Sequence, residues 1–494
     1  MKIFIYVILS FPIILSSQIL TESNLPIIFI DTDNEDIPDE PRILATMGII
    51  DNGPEQTNYI WDNFNHFDGY IGIETRGNST QGFEKKTYRI ELWDENENDI
   101  SESLLGVPEE EDWILHSMVI DKTQLRIPLS FYLFQRMGHY SSNWKFVELV
   151  INDEYQGLYI LCENIKRDNN RVDIAKLEEN DTSGDEVTGG YILRIDWLGD
   201  PGFESNYDSQ EGTPMFFQWY YPKADNIVYE QSNYIEEWIT NFENAVFSPS
   251  YYNSSGFRYN EYIDLNSFTD FLLINELSKN ADGYKLSTYI HKERDSNGGK
   301  LNAGPIWDFD QTFGVSLVCS NHDYTGWTYL QNQPDCEDLM SMPMWWQSMM
   351  EDELFTNHLN CRWNEMRSSF LHQDSIFMWI DNHKELISNA IERNFERWDD
   401  FIGEYIWIEP EPIPETYDEE ILTMKNWISS RLLWLDSEMP GNCNDTEIIE
   451  TNDDGNKNII MIVDQLGRQT NYTKNKILIY VFGDGTTKRK LVTK

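Results

Sequence analysis

Up to Asp196 the chain alternates between short apolar runs and polar turns, a pattern that predicts strands. Leu25-Pro26-Ile27-Ile28-Phe29-Ile30 predicts a buried strand and Ile43 to Ile50 a second, with an acidic loop from Asp31 to Glu40 between them. Gly69 to Thr75 then leads into a polar turn, Arg76-Gly77-Asn78-Ser79-Thr80-Gln81-Gly82. In the next strand Lys86, Tyr88, Ile90 and Leu92 fall on one face, and Lys85 falls on the other. Glu148 to Ile151 and Leu158 to Leu161 form a hairpin around Asn152–Gly157, and Glu163 leaves its second strand. Gly189-Gly190 precedes another strand, Tyr191 to Asp196. A single helix interrupts this β-rich region. It begins at Arg126, and Leu125, Leu129, Tyr132, Leu133 and Met137 share its apolar stripe.

Beyond Phe268 the period changes. Phe271-Leu272-Leu273-Ile274 and Leu277 are too apolar all round for a surface helix and predict a buried one. The loop Ser278–Gly283 carries Asp282. A strand, Ser287 to His291, turns at Asp295–Gly299 and returns through Leu301 to Trp307-Asp308-Phe309-Asp310. The rest reads as helices over 344–370, 376–398 and 419–435, in which Trp345, Trp346, Trp363 and Trp398 are expected to pack between helices rather than bind sugar. Pro440-Gly441-Asn442 breaks the pattern and opens an acidic linker to Asn456. Residues 457–494 form a separate small β-module with strands Ile459–Val463 and Ile477–Phe482. It holds eight basic and two acidic residues.

The 494 residues carry 37 basic and 85 acidic side chains, a net charge of -48 that repels nucleic acid and anionic membranes. Residues 1–17 read as a secretory signal peptide, with Lys2, a short apolar core from Ile3 and Ser16-Ser17 at its end. No later run approaches the ~18 apolar residues of a spanning helix. The five cysteines, Cys162, Cys319, Cys336, Cys361 and Cys443, have no zinc spacing. Their odd number leaves at least one unpaired in an exported chain. Cys319 with Cys336 is the first choice for a disulfide, and all five reduced is the alternative.

A buried helix thus delivers Asp282 on a loop, and a hairpin delivers Asp308 and Asp310 beside it. Carboxylates near apolar walls require a cation, a proton or a basic partner. The layout matches the catalytic end of a protein kinase, where one Asp receives the acceptor hydroxyl's proton and a second, followed by Phe, holds Mg²⁺. The plain alternative has Asp282 capping a loop and Asp310 in a turn. The strand–turn–strand around Arg76, Ser79, Lys85 and Lys86 is a phosphate cradle by the same reading, or simply a solvated basic turn.

In order, the chain presents Arg76-Gly77-Asn78-Ser79 with Lys85-Lys86-Thr87-Tyr88-Arg89, and Asp121 with Leu125-Arg126. Tyr155-Gln156-Gly157-Leu158-Tyr159 with Glu163, and Gly190-Tyr191-Ile192-Leu193 with Asp196, follow. Asn280-Ala281-Asp282 and Trp307-Asp308-Phe309-Asp310 with Gly314 complete the set. Over residues 25 to 437 this series resembles the CotH kinase family of secreted spore-coat kinases. The resemblance implies an α+β, atypical protein-kinase-like two-lobed fold over 18–440, with a β-rich N-lobe and a helical C-lobe. It also implies transfer of the ATP γ-phosphoryl to Ser or Thr of an exported protein, with Mg²⁺. Asp282 would be the base, and Asp308 the metal ligand with Asp310 beside it. Lys85 or Lys86 would reach the phosphates, near Arg76 and Ser79, and Glu163 or Arg126 would steady that lobe. The family commonly has a metal-binding Asn about five positions after the base, and here that position is Ser287, with Asn280 as a substitute. The tail, with Asp464-Gln465-Leu466-Gly467-Arg468 and Lys488-Arg489-Lys490, resembles a type IX secretion sorting domain and implies that machinery as partner and a secreted or cell-surface destination. Two other classes remain open. One is a surface adhesin that keeps the fold without the chemistry. The other is a polysaccharide hydrolase, although no nucleophile elbow, H-E-x-x-H or P-loop is present.

Overall fold

The strand pattern of the N-terminal region closes on itself. In the computed structural model, residues 20–443 are described except 78, 210, 211, 331–341, 400 and 407, with the backbone of three further strands within 459–492. The strands in order are β1 (Glu22–Ser23), β2 (Ile27–Asp31), β3 (Ile43–Ile50), β4 (Asn58–Tyr59), β5 (Phe67–Arg76), β6 (Thr87–Trp93), β7 (Asp112–His116), β8 (Trp144–Ile151) and β9 (Glu154–Glu163). β1 and β4 make a small ribbon, and the others form a closed barrel in the order β2-β3-β5-β6-β7-β9-β8. Pairing is antiparallel around it except where β2 meets β8 in parallel. Closure leaves no bare strand edge. Ile28, Ile71, Ile90, Leu115, Leu149 and Leu161 fill the interior from alternate positions along their strands.

Between β7 and β8 the chain forms α1 (Arg126–Met137), whose predicted stripe is buried at Leu129, Leu133 and Met137. After the barrel come β10 (Tyr191–Ile195), β11 (Gly202–Asp208), β12 (Pro214–Tyr221), α2 (Tyr229–Val246) and α3 (Leu265–Ser278). The hairpin β13 (Thr288–Lys292) and β14 (Leu301–Ala303) completes a five-stranded sheet ordered β11-β12-β10-β13-β14. α3 is the predicted buried helix. The Asp264 side chain caps its start by accepting from the Ser267 N–H at 2.7 Å, and Lys279 ends it in the left-handed region. Where single helices were expected over 344–370 and 376–398, the chain breaks into α4 (Trp345–Met350) with α5 (Glu353–Arg367), and α6 (Gln373–Leu386) with α7 (Ser388–Arg397). α8 (Tyr417–Glu438) closes the group. Its fully buried Arg431 pairs with Glu276 of α3 at 3.2 Å, and Glu276 also accepts from the Thr328 and Tyr329 N–H groups. The four tryptophans named above are buried as packing residues. The architecture is α+β.

The chain divides into two compact units, Met1–Gly441 and Asn442–Lys494. In the second, β15 (Ile459–Val463), β16 (Lys476–Phe482) and β17 (Thr487–Val492) form an antiparallel sheet in chain order. β17 was not expected from the sequence. Cys319, Cys361 and Cys443 are disulfide-bonded. This overturns the fully reduced alternative, while Cys336 lies outside the described residues. Cys162 is the buried free thiol, and burial pushes it up to about 12. The expected signal peptide, the linker beyond Cys443 and the Asp464–Arg468 motif also lie outside the described residues. Among the described residues no helix is long and apolar enough to cross a membrane.

Candidate active site

Asp282, Asp308 and Asp310 meet in one cleft of about 560 Å³. The same cleft is lined by Arg76, Gly77 and Thr80 from the end of β5 and its turn, by His116 at the end of β7, by Arg194 near the end of β10, and by Asp196 and Trp197 just beyond it. The cleft therefore brings the barrel rim to the loops that follow α3 and β14.

Each aspartate is placed by its own loop. Lys279, in the left-handed conformation that ends α3, donates through Nζ to the carbonyls of Ser320, Asp323 and Thr325 at 2.6–2.9 Å. The Asn280 side chain accepts from the Asp282 N–H at 3.2 Å, and the Ala281 N–H donates to Gln311 O, so the two aspartate loops are laced together. Gln311 also donates to Asp282 Oδ2 at 3.4 Å. Around Asp308, Trp307 and Phe309 are buried, while Asp308 itself takes a φ of 63° that turns it off the strand path into the cleft. The Ser287 hydroxyl donates to Asp308 Oδ2 at 3.4 Å.

Burial raises the proton affinity of Asp308 and Asp196 raises it further, against the opposing effect of Arg76 and the Ser287 hydrogen bond. Asp310 is pushed well above the ordinary carboxylate range, first by burial and then by the charges of Asp308 and Asp282. Asp310 makes no ion pair among the described residues. Arg76 is the electrostatic complement of Asp308. Its guanidinium lies 5.0 Å over the Trp307 ring, its Nη1 is buried without a hydrogen-bond partner, and it too makes no ion pair among the described residues. Gly77 follows with a φ of +118°, and a Cβ there would strike the Thr80 hydroxyl at 2.2 Å, so glycine lets the turn fold tightly against the cleft.

The lysines lie elsewhere, and the expectation that one of them faces the aspartates is corrected. Lys85, 3% exposed, donates to Leu158 O at 2.7 Å, Asn394 Oδ1 at 3.0 Å and Gln124 Oε1 at 3.4 Å. It joins the barrel to α7, and burial lowers it to about 7. Lys86 donates to Gln81 O at 2.6 Å within its own turn. Neither lines the cleft. The face assignment also fails at Lys85, because β6 begins only at Thr87 and strand alternation does not extend back to it. Glu163 is likewise outside the cleft. It accepts from Tyr140 Oη at 3.0 Å and from the Asn143 backbone N–H at 2.8 Å, with Arg171 at 3.8 Å. It anchors β9. Arg126 makes a further steadying contact, ion-paired with Asp121 and donating through Nε to Thr312 O at 2.9 Å just after the aspartates. Asn280 is occupied with its loop, so it does not substitute for a metal-binding Asn, and Ser287 is the side chain that reaches Asp308. Ser79 lies in the turn Ser79–Gly82 beside the cleft, and its side chain is outside the described residues.

The family model described as CotH kinase protein matches residues 73–435, well over half of the 494-residue chain. The chain belongs to the CotH kinase family. No curated protein matches it. In this CotH chain the matched span runs from β5 to α8 and so includes every residue that lines the cleft. Sequence reasoning did not single out Arg194 or His116, and it quoted Asp196 only as part of a motif. Arg194 alternates with Asp196 along the end of β10, a signal that strand period alone carries. Arg194 donates to Gln218 Oε1 at 2.8 Å and lies 3.4 Å from Asp196.

Proposed function

We propose that the chain is a secreted protein serine/threonine kinase that transfers the γ-phosphoryl of ATP to an exported or surface protein with the aid of Mg²⁺. The observation that carries this reading is the convergence of Asp282, Asp308 and Asp310 with the unpaired guanidinium of Arg76 in one cleft. Asp308 and Asp310, with no ion pair at Asp310 among the described residues, offer carboxylate oxygens of the kind that a hard divalent cation takes. Asp308 and Asp310 would hold that cation, which supplies charge neutralisation for the phosphates when bound. Asp282 receives the proton of the acceptor hydroxyl as its oxygen bonds to the γ-phosphorus and ADP departs. Arg76, with the tight Gly77–Thr80 turn, grips phosphate oxygens, the task first expected of a lysine. Arg guanidinium suits it because its fixed donors match phosphate oxygens in pairs. The barrel and the helical region then act as the two lobes of an atypical kinase fold.

Thermal unfolding with ATP and Mg²⁺ tests the binding step. A ligand at 100 times its Kd adds ~2.7 kcal/mol of stability, so a clear rise in Tm that needs both components is expected, and no rise contradicts the reading. A second reading, an adhesin that retains the fold without transfer, is favoured by Ser287 at the position where the family commonly carries a metal-binding Asn. A rise in Tm without any phosphoryl transfer supports that reading. For export we propose that residues 1–17 direct the chain to the periplasm and 457–494 engage type IX machinery. A chain ending at Asn456 is then expected to stay in the periplasm, and its release to the medium at the full-length level contradicts this role for the tail.

A further inference from the structure

His116 ends β7 at the barrel rim, paired across the strand with Ile160 of β9. The next turn fixes its ring. The Met118 N–H donates to His116 Nδ1 at 3.0 Å, and the neighbouring Ser117 N–H donates to Thr87 Oγ1 at 3.1 Å. A backbone N–H can only donate, so Nδ1 presents its lone pair and the ring proton resides on Nε2. Burial, then the charges of Arg76 and Lys85, push the imidazole down to about 3, so it stays neutral at working pH. Among the described residues no protein acceptor meets Nε2, although the ring lines the cleft with Arg76, Asp308 and Asp310. The cleft therefore holds two donors without protein acceptors, the Nε2–H of His116 and Nη1 of Arg76. The oxygens of a phosphate chain accept from both kinds of donor.

We propose that His116 donates its Nε2–H to an anionic oxygen of the nucleotide's phosphate chain, beside the oxygens gripped by Arg76. This rests on the nucleotide reading above and assigns a phosphate-binding residue that the sequence did not single out. A neutral donor adds a charge-assisted hydrogen bond without competing with the cation for Asp308 and Asp310. It also keeps phosphate binding independent of the imidazole's ordinary titration.

Two substitutions separate this role from a structural one. His116→Asn keeps an acceptor near the Nδ1 position for the Met118 N–H and removes the donor at Nε2. His116→Gln keeps a donor near the Nε2 position and removes the acceptor. Isothermal titration of the full-length protein with Mg²⁺·ATP is expected to show binding about tenfold or more weaker in His116→Asn at unchanged Tm, and affinity close to wild type in His116→Gln. Wild-type affinity in His116→Asn, or a loss in His116→Gln as large as in His116→Asn, overturns the assignment and leaves the nucleotide reading standing. Wild-type protein that binds no Mg²⁺·ATP overturns both.

Discussion

At Asp310 burial and two neighbouring carboxylates act in the same direction, and the consequence is a sign for the pH dependence of stability. A carboxyl whose folded pKa is raised binds more protons folded than unfolded between the ordinary carboxylate range and its raised value. Its contribution is therefore present at the acid end of that window and is lost as pH rises through it. A bound divalent cation stabilises the ionised form and offsets the loss. Wild-type protein is accordingly expected to gain more Tm from Mg²⁺ at pH 8 than at pH 5. Asp310→Asn is expected to remove the gain at both pH values and to be more stable than wild type at pH 8 without metal. A gain equal at the two pH values, or one kept in Asp310→Asn, contradicts the site. At this scale the sequence was informative about the acids and Arg76 and misleading about the lysines. The aspartates were legible because a buried helix, a tight turn and a hairpin fix their placement locally. Lys85 was not, because its partners Leu158, Gln124 and Asn394 come from distant parts of the chain. Lys85→Met is expected to lower stability by ~1–3 kcal/mol through unpaired buried acceptors while leaving Mg²⁺·ATP affinity unchanged. Arg76→Ala is expected to weaken that affinity about tenfold or more. Denaturant unfolding and calorimetric titration read the two effects, and the opposite pairing of outcomes restores the lysine.

Among the elements, α3, α8 and the loop after Asp310 form one mechanical unit. Gly314 has a φ of +85°, and a Cβ there would come within 2.4 Å of the Trp427 ring on α8. Gly314→Ala is expected to destabilise by ~2–4 kcal/mol, from backbone strain and displaced packing together, and to lower divalent-cation affinity because the aspartate loop shifts with it. Urea unfolding with and without Mg²⁺ reads both parts, and an unchanged midpoint rejects the coupling. Helix α3 and the β13–β14 hairpin were legible because an all-round apolar run and a glycine turn are local signals. The closed barrel was not, since its parallel seam joins Ile27–Ile30 to Glu148–Ile151 across most of the β-rich region, and nothing in either run specifies the partner. The strands β11 and β12 and the helix α2 went unread for a related reason. Gln231 and Glu243 are buried on α2, where pattern reading expects apolar residues.

For the molecule as a whole, the net charge of -48 makes self-repulsion a general term. Screening is expected to raise Tm as NaCl increases from a few millimolar to physiological strength, as the Debye length shrinks to about 8 Å. The Mg²⁺-specific gain is expected to persist in that salt, because buried carboxylates are screened far less than surface ones. Loss of the gain in salt marks diffuse cation binding instead. The division at Gly441 and Asn442 separates the cleft-bearing unit from the terminal sheet, so the proposed transfer chemistry and the proposed engagement of the type IX machinery fall in different units. The most direct measurement is transfer of the labelled terminal phosphate of ATP, to the protein itself or to a generic acceptor, by wild type, Asp282→Ala and Asp308→Ala. Mg²⁺-dependent transfer by wild type that disappears in both variants is the predicted result; transfer that survives in both, or none from folded wild type that binds Mg²⁺·ATP, contradicts the account.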